Sequence, residues 1–162
     1  MSQAADNQPY SLLAGLDAEQ ARRVIAHGVK EKIACGGLLF PLGAEADRLF
    51  LIESGRISLL MPLCVRGEER DVFLEEEGRG QMVGWSALVP PHRFTLKARA
   101  AVDAEVIALP RAALEALFRE DAAIASAVHR NLATMVGQRL QKVQAMWIRE
   151  IQRGIDSRFG TR

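Results

Sequence analysis

Gly36-Gly37-Leu38-Leu39-Phe40-Pro41-Leu42-Gly43-Ala44-Glu45-Ala46-Asp47-Arg48-Leu49-Phe50-Leu51-Ile52-Glu53-Ser54-Gly55-Arg56-Ile57 decides the fold. Short apolar runs alternate here with glycines, which sit where a tight reversal or a positive φ is needed. The same pattern continues from Lys32 to Leu109, with Gly67, Gly78 and Gly80 as further breaks. Strands are expected at 38–42, 48–52, 56–63, 70–74, 94–99 and 105–109. Several short strands at this spacing read as a β-sandwich or barrel, most simply a jelly roll.

Outward from this core the period changes. Ser11 to about Val29 reads as a helix, and Asp17-Ala18-Glu19-Gln20 within it fits a capping box. After the strands, Pro110 suits a first helical turn. Ala112 to Phe118 make one short helix, and Asp121 caps a second that runs to about Arg153. Along the latter, Ile124, Val128, Leu132, Val136, Leu140, Val143, Trp147 and Ile151 form an apolar stripe at spacings of three and four. A helix of roughly 30 residues spans about 45 Å, more than the domain can cover. Its first half is expected to pack on the barrel and the remainder to meet a partner, most simply its own copy.

Composition narrows the function classes. The 162 residues are 49% apolar and 25% charged, the make-up of one soluble globular domain. Lys and Arg number 21 against 20 Asp and Glu, which removes a whole-chain electrostatic footprint for nucleic acid. No apolar run reaches the roughly 18 residues of a membrane span. The polar residues 1–10 lack the apolar core of a signal peptide. Cys35 and Cys64 have no metal-type spacing, so a reducing, cytoplasmic compartment is expected.

The glycine pattern from Ala34 to Ile57 resembles the opening of a cyclic nucleotide-binding domain. Gly80-Gln81-Met82-Val83-Gly84-Trp85-Ser86-Ala87-Leu88, continuing to Arg93-Phe94-Thr95, resembles that family's phosphate-binding cassette. The likeness runs from about Ser11 to Trp147 and extends to the layout of CRP/FNR-type sensors. It implies an α+β architecture: a β jelly roll, or double-stranded β-helix sandwich, flanked by an N-terminal helix and a long C-terminal helix. Residues 11–120 would form the roll and cassette, and 121–162 the dimerisation helix with a basic tail. A short helix near Gly84 would turn free backbone N–H groups toward an anion. Gly84, Ser86 and Ala87 would supply those donors, Arg93 would clamp the phosphate, and Phe94 and Thr95 would complete the wall.

Three features depart from the family pattern. Cyclic AMP binders usually carry a Glu after the cassette glycine to accept from the ribose hydroxyl, and Trp85 stands there instead. An indole cannot accept that bond, a loss of roughly 1–3 kcal/mol. Trp85 either stacks on a ligand ring or fills the pocket as core. A cAMP-binding member of the family has a Thr–Ser pair on the long helix contacting the purine, where this chain has Val143 and Gln144, leaving the Gln144 amide for such a contact. Relatives of the CRP/FNR type continue into a winged helix-turn-helix, whereas this sequence ends at Arg162. Its basic end, with Arg139, Lys142, Arg149, Arg153, Arg158 and Arg162, reads as a solvated face. Sequence-specific DNA binding by this chain alone is not expected.

Other chemistry has little support. Gly84-Trp85-Ser86-Ala87-Leu88 imitates a nucleophile elbow but lacks its second glycine. His27, His92 and His129 have no ligand spacing for a cupin metal. His92 reads as a surface loop residue, with an anion contact or haem ligation as alternatives. Glu68-Glu69 and Glu75-Glu76-Glu77 read as solvated hairpin ends. The expectation is therefore a non-catalytic domain without cofactor or metal, binding a small anionic effector such as cAMP or cGMP and signalling through its C-terminal helix. The alternative is a ligand-free, dimeric interaction module that modulates a partner protein.

Overall fold

The computed structural model describes residues 10–159, so residues 1–9 and 160–162, with Arg162 of the expected basic tail, lie outside the described residues. Eight strands run through the chain: β1 (Val29–Ile33), β2 (Leu38–Phe40), β3 (Arg48–Ser54), β4 (Arg56–Val65), β5 (Glu68–Gly78), β6 (Met82–Val83), β7 (Lys97–Ala100) and β8 (Ala104–Pro110). They form two antiparallel four-stranded sheets, in the orders β1-β8-β3-β6 and β2-β7-β4-β5. Three helices flank them: α1 (Ala18–Ala26), α2 (Arg111–Glu120) and α3 (Ala122–Phe159). This is the helix-flanked β-sandwich that the glycine pattern implies.

The core lies between the sheets. Leu49, Leu51, Ile52, Ile57, Val106 and Leu109 are fully buried. β3 and β8 are buried on both faces, which explains why short apolar runs, rather than strict alternation, mark them. Gly55, with a φ of 79°, turns β3 into β4.

The N-terminal segment differs from the single helix expected over 11–29. Ser11–Leu13 form a 3-10 turn, and Gly15 breaks the path with a φ of 82°. α1 then starts at its capping box, where the Asp17 carboxylate accepts from the Gln20 N–H at 2.8 Å and Gln20 Oε1 from the Asp17 N–H at 3.1 Å. The break lets Leu12, Leu13 and Leu16 bury together, and the Asn131 amide of α3 donates to the Leu12 and Ala14 carbonyls. Val29, the expected end of that helix, instead opens the strand Val29–Ile33, because β8 offers a free edge, with Val29 opposite Ala108 and Ile33 opposite Ala104. Ladder bonds there outweigh the modest helix preference of Lys and Glu.

α3 has 38 residues, about 57 Å at 1.5 Å per residue. Its apolar stripe divides at Val136. Ile124, Val128 and Leu132 are buried, whereas Leu140, Val143, Trp147 and Ile151 are exposed, Trp147 by 68%. No helix among the described residues is long and apolar enough to cross a membrane.

Asp121 ties the helices together. Its carboxylate accepts from the N–H groups of Ala123 and Ile124 and meets Arg23 of α1 at 2.6 Å. The Ile124 N–H is the largest influence holding the Asp121 carboxyl below its ordinary value of 3.8, and Arg23 adds to it. A depressed acid contributes stability that is present above the unfolded value and lost as pH falls through the folded one. Thermal scans from neutral pH to about pH 2 should therefore show a shallower acid limb for Asp121→Asn than for the parent chain, because Asn keeps the cap but does not titrate. Parallel acid limbs would contradict this.

Candidate functional site

The cassette follows β6 directly. Gly84 has a φ of 85°, and Trp85–Leu88 make one 3-10 turn. A side chain on Gly84 would press on Phe94 Cε1 at 3.2 Å as well as adopt a left-handed backbone. The Ala87 N–H donates back to the Gly84 carbonyl at 3.0 Å, so that donor is already used. Ser86 is the one polar residue in the buried set of the described residues, at 4% exposure.

Gly84, Trp85, Ser86, Phe94 and Thr95 line one cleft with Phe40 and Arg139, so the structure brings these residues together. The space left is about 10 Å³, room for about one water. Phe94 fills it: 5% exposed, its ring lies 3.8 Å from that of Phe40 at an interplanar angle of 10°. Aromatic stacking of this kind adds about 0.5–1.5 kcal/mol to the burial itself.

Arg93 and Gln144 lie elsewhere. Arg93 is exposed and donates from Nη1 to the Gly43 carbonyl at 3.0 Å, in a cleft with Glu45, His92 and Arg111. Alternation along the extended chain is the reason: with Phe94 turned inward, its neighbour faces out. Gln144 sits exposed on the distal half of α3 and lines neither cleft beside Trp85.

Trp85 forms the wall between the cassette and a larger cleft of about 160 Å³ under α3. Trp85 is half-buried against the core. Ser11, Gln81, Met135, Arg139 and Lys142 line this second space with Glu75 and Glu77 of β5. Arg139 bridges helix and sheet, its Nε 2.5 Å from Glu75 and its Nη2 3.0 Å from Glu77. Burial, and next the Glu75 charge, push the Glu77 carboxyl above its ordinary value, while Arg139 opposes them.

The sequence reading missed this cluster. Glu75-Glu76-Glu77 is no solvated run: Glu75 and Glu77 share one strand face and pair with Arg139, while Glu76 on the other face pairs with Arg56. The i, i+2 spacing within β5 was the available signal, but nothing local pointed to a cation 62 residues away. Among the described residues, no group of three His, Cys, Asp or Glu side chains is placed to hold a metal.

The family model of the cyclic nucleotide-binding domain matches residues 30–121, more than half of the sequence. The chain belongs to that family. The family is regulatory and typically non-catalytic. Among solved structures, the N-terminal domain of a transcriptional regulator from Streptomyces coelicolor A3(2) is 26% identical, with a TM-score of 0.66 over 86% of this chain and 93% of that one. The catabolite activator protein of Thermus thermophilus is also 26% identical, with a TM-score of 0.71 over 85% of this chain and 61% of that chain. A cyclic nucleotide-binding domain from Methylobacillus flagellatus KT shares the fold at 16% identity, with a TM-score of 0.75 over 85% of this chain and 75% of its own. This chain thus spans less than two thirds of the catabolite activator. No curated protein matches the chain.

Within a cyclic nucleotide-binding domain, the departures of this cassette acquire a concrete form. An aromatic pair occupies the cradle, an indole forms its wall, and the cation lining it comes from the long helix.

Proposed function

We propose that this chain is a regulatory domain that takes a small anionic effector, a cyclic nucleotide or related phosphate, beside Trp85 and transmits its presence through α3. One observation carries the reading. Both cations that line the cleft beside Trp85, Arg139 and Lys142, belong to the helix whose continuation carries the exposed stripe from Leu140 to Ile151. An anion that recruits Arg139 competes with Glu75 and Glu77 for it, loosening the ties between α3 and β5. Ligand therefore favours one helix position over another by differential contacts, the requirement for any allosteric effect. Trp85 offers its ring to a base, and Ser11, Gln81 and Gln138 supply neutral polar groups to the same cleft. The exposed stripe suits pairing of two copies through α3, so the signal is a change in how the copies meet.

A second reading has its own observation. Phe94 stacked on Phe40 leaves the cradle closed, and Arg93 faces away from it. On that reading the domain takes no ligand and acts as a dimeric module that modulates a protein partner.

Calorimetric titration of the folded chain with cAMP and cGMP separates them. Saturable micromolar binding to either nucleotide, weakened at least about tenfold by Arg139→Gln and by Lys142→Ala, supports the sensor, since each variant removes a charge-assisted contact of about 1.5–3 kcal/mol. Absence of heat from both nucleotides, with circular dichroism confirming the fold, transfers the function to the interaction module.

A further inference from the structure

We infer that this domain carries a second anion site, separate from the clefts on either side of Trp85, that takes a phosphomonoester group. The site is a cleft of about 310 Å³ lined by Glu45, Pro91, His92, Arg93 and Arg111. It does not rest on the effector reading above and shares none of its lining residues.

Its frame is fixed by the backbone. Ala46 N–H donates to the His92 carbonyl at 2.8 Å, Phe94 N–H to Ala44 at 3.0 Å and Gly43 N–H to Phe94 at 2.8 Å. These bonds hold the 43–46 and 92–94 segments side by side, so the side chains they carry are positioned before any ligand arrives.

Each polar group then has spare capacity. Arg93 spends one N–H on the Gly43 carbonyl and has no carboxylate partner among the described residues. Arg111, the first residue of α2, gives Nη1 to the Ala46 carbonyl at 3.2 Å and reaches Glu45 Oε1 only at 3.4 Å. A guanidinium has five N–H donors, so both arginines keep several free. His92 Nδ1 lies 3.1 Å from the Ala87 carbonyl and 3.4 Å from that of Ser86. Both neighbours are acceptors, so Nδ1 carries the hydrogen and Nε2 is left as an acceptor, able to take a ligand hydroxyl but not to donate to an anion. His92 holds this place with a φ of 56°, a conformation that a non-glycine side chain keeps only when its surroundings impose it.

Two guanidiniums in one cleft match an anion with three oxygens and two charges, as in a phosphomonoester. Glu45, 73% exposed and loosely held, is the counter-charge such an anion displaces. A monocarboxylate offers two oxygens and one charge, a poorer exchange for Glu45. His92 also bonds to the cassette turn itself, so occupancy of this cleft is felt at Ser86 and Ala87.

The test titrates the whole chain with inorganic phosphate and, separately, with O-phosphoserine, following backbone amide NMR shifts at low ionic strength. Expected is saturation with a dissociation constant on the order of 1 mM, the scale of two or three exposed charge-assisted bonds, with the largest shifts at residues 43–46 and 91–94. Arg93→Gln, an exposed change that leaves the fold intact, should weaken it at least about fivefold, and Arg139→Gln should leave it unaltered. O-phosphoserine binding about tenfold tighter than phosphate would mark a phosphorylated side chain as the source. Equal or weaker binding would mark a free phosphate or small phosphorylated molecule, and either result supports the site. Linear, unsaturated shifts, or saturation indifferent to both Arg93→Gln and Arg111→Gln, would overturn it. Because the cassette effector is probed through Arg139 and Lys142, either site can fail without the other.

Discussion

Phe94→Ala is expected to lower stability by about 3–5 kcal/mol, the range for emptying a buried aromatic site. In a domain of this size each kcal/mol moves the melting temperature by about 2–4 °C, so the fall should be roughly 6–20 °C. The expectation rests on where the ring sits. Phe94 closes the cassette against Phe40, which in turn lies 5.7 Å from Phe50, so three aromatic rings span the region between the cassette and the inner face of β3. Removal leaves a cavity bounded by Phe40, Leu59 and Leu96, and the tied backbone at 43–46 and 92–94 gives it little freedom to collapse. Thr95→Ala, one residue on and exposed, should change stability by no more than about 0.5 kcal/mol. Urea denaturation of the three proteins provides the measurement. A loss below about 1 kcal/mol for Phe94→Ala would mean that the ring does not fill the cradle.

The second large effect is expected at Gly55. A methyl group there would stand 2.3 Å from the Asp103 carbonyl oxygen and 2.7 Å from Ala104 Cα, both backbone atoms that cannot swing aside. Gly55 also has a φ of 79°, where an L side chain adds about 1–2 kcal/mol. Overpacking of this kind contributes about 1–3 kcal/mol more, so Gly55→Ala should cost roughly 2–5 kcal/mol. Gly36 provides the comparison, because its φ is 80° but nothing lies within 4 Å of its virtual methyl. Gly36→Ala should show the backbone part alone. If the two variants lose equal stability, the close approach between the β3–β4 turn and the start of β8 is not what requires glycine at position 55.

These two positions also show how unevenly the sequence can be read. Gly55 is legible as a turn glycine because it separates two apolar runs, and that inference uses only local chemistry. Its packing against Asp103 and Ala104 involves residues almost fifty positions away, and no local pattern carries it. Phe94 is the harder case. The sequence reading placed Arg93 at the phosphate and Phe94 beside it, whereas the ring occupies the cradle and the guanidinium faces out. In an extended segment a slip of one residue exchanges the two faces, and nothing in the order of residues 88–95 fixes that register.

What the sequence determined alone was the fold and its family: the glycine-spaced strands, the capping box at Asp17, and the long helix opened by Asp121. Each follows from short-range rules, in which the turn needs a glycine, the helix start needs an acceptor, and the apolar stripe repeats every three or four residues. Tertiary structure decided how that framework is used. It fixed the break at Gly15, the recruitment of Val29–Ile33 as an edge strand, and the closure of the cassette by Phe94. The pairing of Arg139 with Glu75 and Glu77 and the gathering of His92, Arg93 and Arg111 in one cleft were decided there too. Each of these depends on which distant backbone lies opposite a residue and which face of a strand turns inward. Those are properties of register and packing, and they exist only once the two sheets and α3 have come together.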